Sequence, residues 1–423
     1  MKKSILKQSK IHAMKILLVV VMLQLNFVTI GQTDNQAVMR LPGVEYQLIG
    51  TYDTGKLDSV FGSELELFLS GSTTKPMEFA NSFPKAKYSV KLYRISYPSV
   101  IPEFGNRPTM ASGLVAVPDH DAGVMPLIMY QHGTTYKKTE VPSFPDNSME
   151  TRMMLARFAS QGYVVIAADY FGKGLSELPD SYLVLQSTQQ ACVDMLIAAK
   201  GWLAEKNIET NSLFIHGWSQ GGWATLVLLQ KLEALGIEVT AAATASGPAD
   251  GMVLYDRWFN NYQPIDAVYL PSCVFLQIKA QEYYHQQNGL AASAVRPEFL
   301  QASIEFYNEQ IDWDTFSKRT TNKLQEYLQP EFMAGGNSCE SPYWQVLNKS
   351  QAYRWRSHTP MHNYYGGSDE VVPVEMARLP EMFQKMLGGG PTTAVYAGDL
   401  ADHRGTFVYS VLHSKTWFDE FLK

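Results

Sequence analysis

The sequence is poor in cysteine and in charge. Its 423 residues include three cysteines and 18% charged residues, whereas hydrophobic residues make up 46%. Three cysteines are too few for a disulfide scaffold, and their spacing matches no metal site. The hydrophobic content excludes wholesale disorder, and no repeat, low-complexity tract or charge run interrupts the chain. A globular protein with a large core is therefore expected.

Positive charge is scarce outside the N-terminus. The first 31 residues hold five lysines and no acidic residue. Removing these five from the 35 basic residues leaves 30 against 41 acidic residues, a formal net charge of −11. A chain this acidic is not expected to bind nucleic acid or an anionic membrane surface.

Residues 1–31 have the build of a secretory signal peptide. Lysines precede an apolar run, ILLVVVML, and the small residues Thr29 and Gly31 suit the −3 and −1 positions of a cleavage site. The run is short for a membrane span, although an uncleaved N-terminal anchor is the alternative. We predict cleavage near Gly31, no stable membrane span thereafter, and a periplasmic or secreted protein.

Strand and helix patterns alternate along most of the remaining chain. Residues 32–87 are weakly patterned and form a predicted N-terminal extension. From residue 88 to 423, buried apolar runs alternate with segments of helical period, which predicts an α/β fold with a mostly parallel central sheet flanked by helices. A stretch of about 250–356, rich in aromatic residues and glutamine, interrupts this alternation and is predicted to be a helical insertion.

The strongest chemical signal is the segment from Gly217 to Gly222, GWSQGG. It contains a G-x-S-x-G motif between a predicted strand and a predicted helix. A serine on such a tight turn needs glycine neighbours, because strand and helix approach closely there. The following helix N-terminus also offers backbone N–H groups to an oxyanion. Ser219 is therefore the predicted nucleophile.

A serine nucleophile requires a histidine base and an acid that orients it. Of the later histidines, only His403 falls between the last predicted strand and the last predicted helix; the others are His285, His358, His362 and His413. The acid is best placed at Asp369 in GGSDEVVP, just after the preceding strand. Its neighbour Glu370 is expected to point elsewhere, and Asp399 and Asp402 are expected to cap or to face solvent.

An oxyanion hole needs a second donor beside the one that follows the serine. The loop His132-Gly133-Thr134-Thr135 follows the third predicted strand of the domain. The backbone N–H groups of Thr134 and Gln220 form the predicted pair of donors, and His132 is expected to shape the loop rather than act as a second base.

The segments YQHGTT, AADYFGKGLS, HGWSQGG, GGSDEVVP and ADHRG, in this order, resemble the α/β-hydrolase superfamily. The large insertion makes the chain similar to the secretory-lipase (lipase A type) branch. The resemblance implies Ser219 as nucleophile, Asp369 as acid, His403 as base, and Thr134 and Gln220 as oxyanion donors. It also implies that the insertion is a helical lid over an acyl pocket.

These observations together favour an exported serine esterase without a metal or other cofactor. Its substrate would be a small-molecule, glycan or lipid ester, and the Tyr, Phe and Gln of the insertion favour a smaller or more polar ester than a long-chain lipid. A serine peptidase of the prolyl-oligopeptidase type and a non-catalytic binding protein are the alternatives. Cys273 and Cys339 both lie in the insertion, where a disulfide between them would brace a lid.

Overall fold

The computed structural model describes residues 42–75, 79, 82–120, 123–338 and 341–423. The predicted signal peptide lies outside these ranges, so its cleavage near Gly31 stays a prediction. Cys339 lies outside them as well, while Cys273 is a buried free thiol. No helix in the described ranges is both long and apolar enough to cross a bilayer.

The described residues form one sheet of nine strands in the order β1-β2-β3-β5-β4-β6-β7-β8-β9. The strands are β1 (Glu45–Tyr52), β2 (Val90–Ile101), β3 (Arg107–Pro118), β4 (Met125–Gln131), β5 (Val164–Ala168), β6 (Thr210–Trp218), β7 (Ala241–Ala245), β8 (Met361–Tyr365) and β9 (Thr392–Tyr396). The first three strands pair antiparallel, and β3 pairs antiparallel with β5. All pairs from β5 to β9 are parallel, which confirms the predicted mostly parallel sheet.

Helices cover both faces of the sheet. Those outside the insertion are α1 (Thr54–Ser59), α2 (Leu65–Phe68), α3 (Met149–Arg157), α4 (Leu185–Glu205), α5 (Gln220–Ala234), α14 (Arg378–Leu387) and α15 (His403–Phe418). One hydrophobic core contains α4 and α5, and a second contains α3 and α15 on the opposite face. Because β5 and β7 lie between the two cores, every residue in them is buried.

The segment before residue 88 belongs to the same sheet. Strand β1 pairs with β2 from Glu45 opposite Ser96 to Tyr52 opposite Val90. Residues of the predicted N-terminal extension thus supply the edge strand and two short helices. The weak pattern of this segment reflects a strand whose residues are mostly exposed.

Residues 246–360 connect β7 to β8 and carry the insertion. In their described part they contain α6 (Gly251–Asn260), α7 (Leu270–Tyr284), α8 (Leu290–Ala294), α9 (Pro297–Tyr307), α10 (Trp313–Arg319), α11 (Leu324–Tyr327), α12 (Pro330–Ser338) and α13 (Pro342–Lys349). Several of these helices share the core that contains α4 and α5. The role of the insertion as a lid stays a prediction.

Candidate active site

Ser219 lies on a sharp turn between β6 and α5. Its backbone adopts φ 57° and ψ −123°, a region that non-glycine residues rarely occupy and that costs about 1–3 kcal/mol. The turn is held because the Ser219 N–H donates to the carbonyl oxygen of Ala245 at 2.9 Å, and the Gly222 N–H donates to the Ser219 carbonyl oxygen at 2.9 Å. The strain is thus maintained by the neighbouring end of β7.

The glycines that flank Ser219 leave no room for a side chain. A β-carbon on Gly217 would lie 2.1 Å from the carbonyl oxygen of Gly221, and one on Gly221 would lie 1.9 Å from that of Gln131. These contacts are far below van der Waals separation, and their partners are backbone atoms that cannot rotate away. The glycines of the motif are therefore required by the close approach of α5 to β4 and β6.

His403 and Asp369 form a buried pair. The imidazole Nδ1 lies 3.0 Å from Asp369 Oδ1 and 3.2 Å from Oδ2, and their side chains are 5% and 2% exposed. The Val371 and Val372 N–H groups donate to Asp369 Oδ1 at 3.0 and 2.9 Å. The carboxylate is therefore fixed by its own loop and oriented toward the imidazole.

The two groups shift each other's pKa. Burial alone would raise the pKa of Asp369, but the charge of His403 and the hydrogen bond to it lower the pKa below its ordinary value. Burial alone would lower the pKa of His403, yet the negative charge of Asp369 and their hydrogen bond raise it above 6.5. The pair is thus suited to a histidine that gains a proton during a reaction.

The structure places His403 differently from the sequence prediction in one respect. His403 is the first residue of α15 rather than a loop residue, because Asp402 caps the helix by accepting from the Gly405 N–H at 2.8 Å. Glu370 accepts from the His403 backbone N–H at 3.0 Å instead of meeting the ring. Asp399 is bonded to the hydroxyl of Tyr396.

Thr134 and Gln220 line the same cavity as Ser219 and His403. Gln220 is the first residue of α5, where helical N–H groups have no partner within the helix. Within the described residues, neither the Thr134 nor the Gln220 backbone N–H donates to a backbone carbonyl. The cavity that contains Ser219 is therefore lined by two residues, Thr134 and Gln220, whose backbone N–H groups have no backbone acceptor.

The residues that hold the Thr134 loop in place were not predicted from the sequence. Glu150 of α3 is 9% exposed and accepts hydrogen bonds from the Gly133 N–H, at 2.8 Å, and from the Tyr130 hydroxyl. Lys173 Nζ donates to the carbonyl oxygen of Thr135 at 2.9 Å. The loop is thus clamped at both of its ends.

The remaining histidines have other surroundings. His132 is buried, its ring nitrogens face the carbonyl oxygens of Gly133 and Asp169 at 2.7 and 3.1 Å, and burial lowers its pKa to about 4. It therefore remains uncharged near neutral pH, with no nitrogen directed at Ser219. Of the five histidines that follow Ser219, His403 is the one that lines the cavity; the others are His285, His358, His362 and His413.

A cavity of about 310 Å³ opens at Ser219. This volume is at the low end of the 300–1,000 Å³ typical of small-molecule sites. Its walls are mainly aromatic and aliphatic, and many come from the insertion, among them Tyr255, Trp258, Tyr269, Val274, Gln277 and Trp313. Within the described ranges, no group of three or more His, Cys, Asp or Glu side chains could hold a metal ion.

Trp218 connects the serine turn to the histidine. Its indole N–H donates to the His403 carbonyl oxygen at 3.0 Å, and the two rings lie 4.9 Å apart. Trp218 also lines the cavity. It therefore both packs behind the imidazole and contributes to the wall of the pocket.

Solved structures of other proteins share the fold of this chain. A hydrolase described as putative from Legionella pneumophila matches with a TM-score of 0.75 and 23% identity over 90% of this chain and 98% of its own. This chain has the α/β-hydrolase fold. The rice cell wall degrading esterase LipA from Xanthomonas oryzae matches with a TM-score of 0.70 and 19% identity, over 88% of this chain and 95% of LipA.

Two further comparisons extend this result. Candida antarctica lipase A in its closed state matches with a TM-score of 0.62 and 14% identity, over 89% of this chain and 82% of the lipase. The sequence model of the prolyl oligopeptidase family matches residues 149–250, which carry the serine turn. The matched proteins and the matched family have hydrolysis in common, and they include both ester and peptide hydrolases. The comparisons therefore support a hydrolytic enzyme.

Proposed function

We propose that this chain is a serine hydrolase that cleaves carboxylic esters. The observation that carries the proposal is the strained Ser219 in one cavity with His403, whose Nδ1 is held at 3.0 Å by the buried Asp369. A serine on a strand-to-helix turn, an imidazole and an orienting carboxylate are the groups that acyl transfer requires. No step of this chemistry needs a metal or a cofactor.

The chemistry follows from these positions. Ser219 Oγ attacks the ester carbonyl carbon while His403 takes the hydroxyl proton, and Asp369 stabilises the imidazolium that forms. The Thr134 and Gln220 N–H groups donate to the carbonyl oxygen as it becomes negative, and each such donor is typically worth about 10²–10³ in rate. His403 returns the proton to the leaving alcohol, and water then releases the acid from the acyl-enzyme by the same steps in reverse.

The form of the cavity favours an ester of modest size. A volume of about 310 Å³ walled by tyrosine and tryptophan suits a small or polar acyl or alcohol group better than a long lipid chain. We further propose that the insertion acts as a lid, because its helices contribute much of the cavity wall. A peptide substrate is the second candidate, and the match to the prolyl oligopeptidase family over residues 149–250 favours it.

Two assays test the proposal. A fluorophosphonate probe should label the wild-type protein and leave Ser219→Ala unlabelled; absence of labelling on the folded wild type would exclude catalysis by Ser219. p-Nitrophenyl esters of increasing acyl length are then compared with peptide p-nitroanilides. We expect higher kcat/KM for short-chain esters, and a preference for anilides would establish the peptidase instead.

We also propose that the protein is exported, on the basis of the lysines and apolar run within residues 1–31. Expression of the full chain in a Gram-negative host should yield a processed protein outside the cytoplasm, with Gln32 near its N-terminus. N-terminal sequencing of that protein tests the cleavage site. Retention of the intact N-terminus in a membrane fraction would favour the uncleaved anchor.

A further inference from the structure

Gln277 is a buried polar residue in an otherwise aromatic and aliphatic part of the cavity wall. It lies on α7 and is 4% exposed. Its Oε1 lies 2.7 Å from the hydroxyl oxygen of Tyr255 and 3.2 Å from that of Tyr343, and these hydroxyls lie 2.7 Å from each other. Both hydroxyls are themselves buried. In this arrangement Oε1 accepts from the Tyr255 hydroxyl, while the Tyr343 hydroxyl donates either to Oε1 or to Tyr255.

With Oε1 directed at the phenols, the amide nitrogen of Gln277 is left without a hydrogen-bond acceptor among the described residues. Among the described residues, Gln277 Nε2 has no hydrogen-bond partner, since the contacts of this side chain are made through Oε1. The cavity lining includes Leu254, Trp258 and Val274, whose side chains offer no acceptor. A donor on the cavity wall that no protein group satisfies gains a hydrogen bond when a ligand supplies an acceptor there.

We propose that Gln277 determines specificity by donating a hydrogen bond from Nε2 to an oxygen atom of the substrate. The inference rests on the proposed ester hydrolysis and specifies its substrate class. The preferred ester carries a carbonyl or ether oxygen in the part that enters the cavity, away from the ester bond that is cleaved. A substrate with methylene at that place would leave the donor unpaired, and a site built around a polar contact discriminates strongly against such an analogue.

A ketone scan tests this contact on the full-length enzyme. On the acyl side, p-nitrophenyl pentanoate and hexanoate are compared with the 4-oxopentanoate and 5-oxohexanoate. On the alcohol side, hexyl acetate is compared with 5-oxohexyl acetate by acid release. We expect at least one oxo ester to exceed its parent about tenfold in kcat/KM. In Gln277→Met, which keeps the side-chain length but removes both the donor and the acceptor of the amide, this ratio should fall to about one.

The matched control is Val274→Ala, which enlarges the same wall without removing a polar group. It should change kcat/KM for oxo and parent esters by the same factor. The proposal is wrong if wild type does not favour an oxo ester in either series, or if Gln277→Met keeps the preference. Hydrolysis of the parent esters and labelling by the fluorophosphonate report the proposed function separately, so both can succeed while the specificity inference fails.

Discussion

The buried carboxylate behind the Thr134 loop predicts an unusual dependence of stability on pH. Burial raises the pKa of Glu150 from 4.5 to about 7, although the hydrogen bonds from Tyr130 and Gly133 oppose the rise. Between these two values the folded protein binds more protons than the unfolded chain. Stability contributed at this site is therefore greatest below pH 4.5 and falls as the pH rises to about 7.

The size of the effect follows from the shift. At about 1.4 kcal/mol per pH unit, ionisation of Glu150 destabilises the folded state by about 3 kcal/mol above pH 7. Glu150→Gln cannot ionise, but its side-chain oxygen can still accept from Gly133. The free energy of unfolding of this variant, relative to wild type, should therefore increase by about 3 kcal/mol between pH 4.5 and pH 8.

Urea unfolding followed by tryptophan fluorescence at several pH values measures this difference. Glu177→Gln is the matched control, because Glu177 is exposed and its variant should follow wild type at every pH. A difference between Glu150→Gln and wild type that is constant with pH would refute the reasoning. So would a difference that decreases as the pH rises.

Three further predictions concern activity. Asp369→Asn should lower kcat by about 10⁴. It should also shift the acidic limb of the pH profile of kcat/KM to lower pH, because Asp369 raises the pKa of His403. Gly221→Ala should abolish folding or labelling by the fluorophosphonate, whereas Gly123→Ala, whose new methyl group meets nothing within 4 Å, should leave both unchanged. Glu150→Ala should lower kcat about tenfold with little change in KM, because the Thr134 loop loses an anchor; an equal loss in Glu150→Gln would contradict this.

The fold could be predicted from the sequence because several central strands, such as β4 and β5, are short apolar runs that alternate with segments of helical period. The same pattern led to the predicted Ser219, Asp369 and His403, since each lies in the connection that follows a strand, and parallel strands direct those connections to one edge of the sheet. The last helix was predicted to begin just after His403, whereas α15 begins at His403 itself. Asp402 caps this helix, which is one of the two roles expected for that residue.

The supports of the site were harder to predict. Glu150 precedes Met153 and Met154 by three and four positions, so it shares a helix face with two buried residues. That spacing was the available signal of a buried acid. Nothing local to Gly133 reveals its bond to Glu150, because the contact depends on how α3 packs beneath β4. The bonding of Gln277 to Tyr255 and Tyr343 likewise depends on how α6, α7 and α13 meet.

The placement of the insertion has a consequence for chain connectivity. Neighbouring parallel strands always need a crossover, of about a dozen residues at minimum, and residues 246–360 serve as the crossover from β7 to β8. The length of a minimal crossover must double roughly three times to reach that of residues 246–360. Each doubling costs about 0.6 kcal/mol of loop-closure free energy, so the total is about 2 kcal/mol. Enclosing the serine under these helices therefore costs the sheet little closure entropy, whereas their packing on the core that contains α4 and α5 stabilises the domain. Exchanging the cavity-lining residues of that segment should alter the substrates accepted while the strands stay intact.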